Sequence, residues 1–97
     1  MLRRRIATVR TGRQIDVVLY SKPECELCAK AERAVRSVFG SRHLRIVNIL
    51  DDRELEDRYI FRIPVLVVDG VEAAEGLIDA DDARRARAGA IRQRMAE

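Results

Sequence analysis

The chain has 97 residues, of which 47% are hydrophobic and 36% charged, with a net charge of +3, two cysteines and no tryptophan. At this length one compact core is expected and a second domain is not. No apolar run approaches the roughly 20 residues of a membrane span, and there is no apolar h-region of a secretory signal. The expected location is therefore cytoplasmic, where a C-x-x-C pair is catalytic or metal-binding rather than a structural staple.

In chain order, residues 1–15 form a basic arm, because Arg3, Arg4, Arg5, Arg10 and Arg13 all precede the first acidic residue, Asp16. Such an arm suits nucleic acid or a mitochondrial address. The plainer reading, a solvated terminus with Ile6 to Val9 as an added edge strand, is preferred, since no aromatic stacking residues are interleaved. No nucleic-acid or membrane partner is expected. Asp16 to Tyr20 is apolar and β-branched enough for a buried strand. After the turn Ser21-Lys22-Pro23-Glu24, Cys25 to Phe39 repeats Leu27, Ala31, Ala34, Val35 and Val38 at helical spacing. Cys25 and Cys28 thus begin a helix that follows a strand. The first sulfur lies at the positive end of the helix dipole and can ionise and attack, while the second, one turn inside, can resolve the mixed disulfide.

Leu44 to Leu50 is the second strand, reached through that helix and so parallel to the first. Asp51 to Ile60 reads as a short helix, with Asp51 and Glu54 spaced as a capping-box variant and Glu54 paired with Arg58. Pro64 closes the connecting loop. Val65 to Val68 is a third strand, and Asp69-Gly70 turns into a fourth around Val71 to Ala74. Asp79 is the expected N-cap of a last helix whose Ala83, Ala86, Ala90 and Ile91 face the sheet and whose Arg84, Arg85, Arg87, Arg92 and Arg94 form the wet side. The sum is an α/β domain over residues 16–97, β-α-β-α-β-β-α, with a four-stranded mixed sheet flanked by helices.

Tyr20-Ser21-Lys22-Pro23-Glu24-Cys25-Glu26-Leu27-Cys28, Arg62-Ile63-Pro64-Val65-Leu66-Val67-Val68-Asp69-Gly70, and Gly76 followed by Asp79 to Asp82 together resemble the glutaredoxin-like branch of the thioredoxin superfamily. The resemblance runs from about Asp16 to the C-terminus. It implies a thioredoxin-like fold, a cis Ile63-Pro64 bond beside Cys25, and thiol-disulfide exchange through Cys25 and Cys28. It also implies a substrate groove made by Lys22, the Ile63 backbone, Pro64, Gly76 and Asp79. The implied partners are disulfide-containing proteins or glutathione, with a reductase as electron source. No tightly bound cofactor and no metal are expected, and glutathione enters as a co-substrate.

Three departures matter. Glu26-Leu27 stands where many dithiol glutaredoxins carry Pro-Tyr. Glu75 stands where a glycine is usual and opposes a carboxylate, an opposition that Lys22 and Arg62 offset. The chain also lacks the tryptophan usual before a thioredoxin dithiol. Glutathione is therefore expected to be a poor to moderate donor, and a thioredoxin-like reductase is the alternative. Glu24 and Glu26, flanking Cys25, disfavour the thiolate slightly and lean the protein toward reductant. Two further classes stand beside these: a zinc or iron-sulfur site completed by His43 or another chain, and a binding module with an inert dithiol.

Overall fold

The computed structural model describes residues 14–97. The basic arm up to residue 13, with its expected edge strand at 6–9, lies outside the described residues.

The elements are β1 (Val17–Ser21), α1 (Glu26–Phe39), β2 (Leu44–Asn48), a 3-10 turn (Ile49–Asp51), α2 (Arg53–Tyr59), β3 (Val65–Val68), β4 (Val71–Glu75) and α3 (Ala80–Ala96). They build a four-stranded mixed sheet in the order β2-β1-β3-β4, in which β1 runs parallel to β2 and antiparallel to β3, while β3 and β4 form an antiparallel hairpin. Pairing places Val17 opposite Val68 and Leu19 opposite Leu66. These four residues pack with Ala31 and Val35 of α1, Ala83 of α3 and Ile78 in the main core. The alternate positions face the other side, where Val65, Tyr59 and Ile49 form a second cluster joined by Tyr20, Leu55, Ile63 and Val67. A central strand covered on both faces reads as an unbroken apolar run, which is why Val17 to Tyr20 shows no alternation.

Two expected boundaries move. β2 stops at Asn48, because the Asn48 side chain accepts from the Leu50 N–H at 2.9 Å and starts the 3-10 turn. An Asn side chain bonding two residues on competes with the ladder. Asp51 is taken up in that turn, so the cap of α2 is Asp52, whose carboxylate accepts from the N–H groups of Glu54 at 2.9 Å and Leu55 at 3.2 Å. The Glu54–Arg58 pair does not form among the described residues; Arg58 lies over the Tyr59 ring, 5.8 Å from its centre. The β3–β4 turn has positive φ at both central residues, 50° at Asp69 and 81° at Gly70. That is the twist a two-residue hairpin needs. Ala73 is the extra residue of a bulge on β4, since Leu66 pairs with Ala74 and Val67 with Glu72.

Arg94 departs from the wet side of α3. Its guanidinium donates to the Asp69 carboxylate at 2.8 and 3.0 Å and to the Gln14 carbonyl at 2.9 Å. Asp69 also accepts from the Asp16 N–H at 3.0 Å. One carboxylate thus ties the hairpin turn, the start of β1 and the end of α3. The hydrogen bonds from Arg94, aided by the Asp16 N–H, hold the Asp69 carboxyl below the usual carboxylate range. A depressed folded-state value stabilises the protein above the unfolded carboxyl's pKa of about 3.9, and this is lost as pH falls through the lower folded value. Asp69→Asn, which tolerates the same turn, is expected to lower stability at pH 7 by about 1 to 2 kcal/mol. Urea unfolding at neutral and acid pH checks this: the gap to the parent should hold above about pH 4 and narrow below it. A gap that stays constant into acid contradicts the assignment.

Candidate active site

β1 delivers the chain to the site, and the turn that follows aims it. Glu24 has φ 57°, a left-handed conformation that side-chain-bearing residues adopt reluctantly. It lets Cys25 follow in an extended conformation (φ −127°, ψ 108°) as the N-cap of α1. The Cys25 Sγ accepts from the Cys28 N–H at 3.2 Å, and the Cys25 carbonyl accepts from the Ala29 N–H at 3.0 Å. The first sulfur therefore occupies the place of a capping oxygen, against the unpaired N–H groups and positive end of a 14-residue helix. Cys28 is 2% exposed, whereas Cys25 is partly accessible. The two are joined as a disulfide with Cα atoms 5.2 Å apart.

The sheet register brings the other expected residues to the same end. Ser21 lies opposite Asn48, Tyr20 opposite Val65, and Val65 opposite Glu75. The dithiol loop, the Ile63-Pro64 turn and the Gly76 loop therefore emerge together. The Ile63-Pro64 peptide is cis, and Pro64 is fully buried. The Pro64 carbonyl accepts from the Gly76 N–H at 2.8 Å, joining the two loops. Gly76 has φ 76° with open space where a Cβ would lie, so the conformation and not crowding calls for glycine.

Other roles shift. The Ile63 N–H already donates to the Tyr59 carbonyl at 3.0 Å, so this backbone presents an acceptor and not a donor-acceptor pair. Asp79 caps α3, accepting from the Asp82 N–H at 2.8 Å while its own N–H donates to the Asp82 carboxylate at 3.0 Å. Lys22 reaches the Pro23 carbonyl at 3.4 Å, within the turn before Cys25.

Arg62 and Glu75, read from sequence as opposed influences on a bound carboxylate, are partners. The Arg62 guanidinium bonds Glu75 at 2.7 Å and also pairs with Glu72. It lies over the Tyr59 ring, 5.3 Å from its centre. Arg62, and after it the Tyr59 hydroxyl donating at 3.1 Å, hold the Glu72 carboxyl below the usual carboxylate range. Tyr20 stacks on Tyr59 with centroids 4.5 Å apart. This cluster fastens the loop before Pro64 to β4. Sequence reading missed it because its hydrogen-bonded partners are 10 or more positions apart in the chain. The only available signal was the Arg-Ile-Pro spacing with acidic residues on the following hairpin. His43, by contrast, precedes β2, at the opposite end of the sheet from Cys25, so it does not converge with the cysteines.

The family described as Glutaredoxin-like domain (DUF836) matches residues 16–91. The chain belongs to this glutaredoxin-like family. Among solved structures it is similar to the structural-genomics target protein XcR50 from X. campestris, with 29% identity, a TM-score of 0.66, and 75% of this chain and 96% of that one covered. It shares its fold with a mutant thioredoxin from Halobacterium salinarum NRC-1 (21% identity, TM-score 0.53, 80% and 75% covered). The same holds for oxidized glutaredoxin 2 from Chlamydomonas reinhardtii (19% identity, TM-score 0.51, 87% and 82% covered). A comparison with curated proteins found no match. A disulfide-bonded Cys25–Cys28 pair in a glutaredoxin-like domain fits a thiol-disulfide oxidoreductase. Among the described residues no helix is long and apolar enough to cross a membrane.

Proposed function

We propose that the protein is a dithiol-disulfide oxidoreductase in which Cys25 is the nucleophile and Cys28 the resolving thiol. One observation carries the reading: Cys25 is the N-cap of α1 and its Sγ accepts the Cys28 N–H, while Cys28 is buried beneath it. A free cysteine has a pKa of about 8.5 and is mostly protonated at neutral pH. An N–H donor and the dipole of a long helix both favour the charged sulfur, whereas exposed Glu24 and Glu26 are screened by solvent and oppose it weakly.

The substrates are disulfides, with glutathione or a reductase returning the electrons. Glutathione is the weaker donor in this reading, because the Arg62 cation that would meet its carboxylates is engaged by Glu72 and Glu75. Lys22 remains beside the dithiol, and Gly76 lines the adjoining loop.

The test is stoichiometric reduction. Fully reduced protein mixed with excess hydroxyethyl disulfide is expected to consume one disulfide per chain and to end with the Cys25–Cys28 disulfide and no free thiol. Two stable mixed disulfides per chain, or no reaction, would contradict the reading.

A further inference from the structure

We propose that the N-terminal segment Ile6-Ala7-Thr8-Val9 docks in the groove between β4 and α3, which anchors the basic arm on the hairpin side of the sheet. Sequence alone leaves open which edge or face these residues join.

The groove measures about 1130 Å³, with Val71, Ala73 and Ala74 of β4 on one wall and Ala86, Gly89 and Ala90 of α3 on the other. β4 is an edge strand, and its two glutamates are engaged elsewhere, since Glu72 and Glu75 are both held by Arg62. The β4 residues that line the groove are therefore uncharged. Small side chains on facing elements leave a trough that larger ones would fill. Val71 and Met95 also line it and are 63% and 81% exposed, so this apolar surface has no cover among the described residues.

The start of β1 decides the occupant. The Gln14 carbonyl accepts at 2.9 Å from Arg94, itself a lining residue of the groove. The Asp16 N–H donates to the Asp69 carboxylate at 3.0 Å, and the Asp16 carbonyl accepts from the Asp69 N–H at 2.8 Å. The Asp16 carboxylate turns the other way, to Arg45 of β2. The backbone, however, is drawn toward the hairpin turn and α3, so the 13 residues before Gln14 set out from beside the groove. Arg94 also carries a buried Nη1 with no hydrogen-bond partner among the described residues. A buried charged donor left unpaired is costly. A backbone carbonyl of the arm, just before Gln14, satisfies it.

Reach and composition agree with this path. The eight residues from Gln14 back to Ile6 extend to about 26 to 29 Å, whereas α3 runs only about 18 Å between Arg94 and Asp82. Gly12 lies on the way and permits a turn into the groove. Ile6 to Val9 is an uncharged run between Arg5 and Arg10, β-branched at three of its four positions and so suited to extended backbone. Alternate side chains of an extended segment point to opposite sides. Ile6 and Thr8 therefore meet one wall, and Ala7 and Val9 the other.

The experiment uses the full chain. Methyl-labelled protein is expected to show nuclear Overhauser contacts from Ile6 and Val9 to Ala73, Ala86 or Ala90. Contacts from these methyls to Ile46 of β2 instead, or none to the groove alanines, overturn the proposal. A second measurement exploits the absence of tryptophan from the chain. In Val9→Trp the indole is expected to emit to the blue of the urea-unfolded protein and to be shielded from iodide. Adding Gly89→Arg should abolish both effects, because the new side chain fills the groove. The helix accepts that change: a Cβ at Gly89 meets only the Arg92 Nη2, at 3.9 Å, and arginine is a better helix former than glycine. A solvated indole in Val9→Trp, or a shielded one that ignores Gly89→Arg, overturns the proposal. So does shielding that fades on dilution in step with dissociation of a dimer, which would put the arm in the groove of a second copy.

Discussion

Cys25→Ser is expected to reduce disulfide turnover to the rate of the external reductant alone, whereas Cys28→Ser should still attack and then stall as a mixed disulfide. The two cysteines are chemically identical in sequence, so the difference comes from position. Cys25 is partly accessible at the mouth of α1 and its sulfur accepts a backbone N–H, while Cys28 is 2% exposed and one turn inside. A thiolate is the attacking species, and access decides which sulfur an incoming disulfide reaches. Mass spectrometry of Cys28→Ser after exposure to hydroxyethyl disulfide should show one added half of the disulfide per chain. The reverse pattern, with Cys25→Ser forming the adduct and Cys28→Ser inert, would contradict the assignment of roles.

Leu19→Ala should have the largest effect on stability of any single truncation in the sheet. Leu19 is fully buried at the centre of β1, opposite Leu66 and beneath Ala31 and Val35 of α1. Truncating such a leucine costs about 2 to 5 kcal/mol through lost burial and the cavity left behind. A domain of this size has only about 5 to 15 kcal/mol in total. The denaturation midpoint should therefore fall sharply with little change in slope. Ile46→Ala on edge strand β2, where Ile46 is 37% exposed, should cost about 1 kcal/mol or less. Similar losses at the two positions would mean that the core does not lie between β1 and α1.

The contrast between these residues also shows what was legible in the sequence. Val17 to Tyr20 and Val65 to Val68 announce buried strands because both faces are covered, and the Cys25 to Phe39 spacing announces a helix because one face alone is. Asp69-Gly70 names its own turn. The dithiol, the Ile63-Pro64 turn and the Gly76 loop were recognisable as short local motifs. Arg94 was not, because an arginine that reaches back 25 positions to Asp69 looks the same in sequence as its solvated neighbours Arg84 and Arg92. The Arg62–Glu75 pair was hidden for the same reason. Asp51 and Asp52 are equal candidates for a cap until the 3-10 turn is known to include the first. Glu24 carries no sign of its left-handed backbone, since glycine or asparagine usually marks that conformation.

The claim on which the rest depends is that α1 activates Cys25. Reduced protein treated at pH 7 with less than one equivalent of iodoacetamide, then digested and mapped by mass spectrometry, tests it most directly. Cys25 is expected to carry nearly all of the label, with a rate that falls only as the pH drops below the ordinary thiol range. Label divided equally between the cysteines, or concentrated on Cys28, would contradict the account.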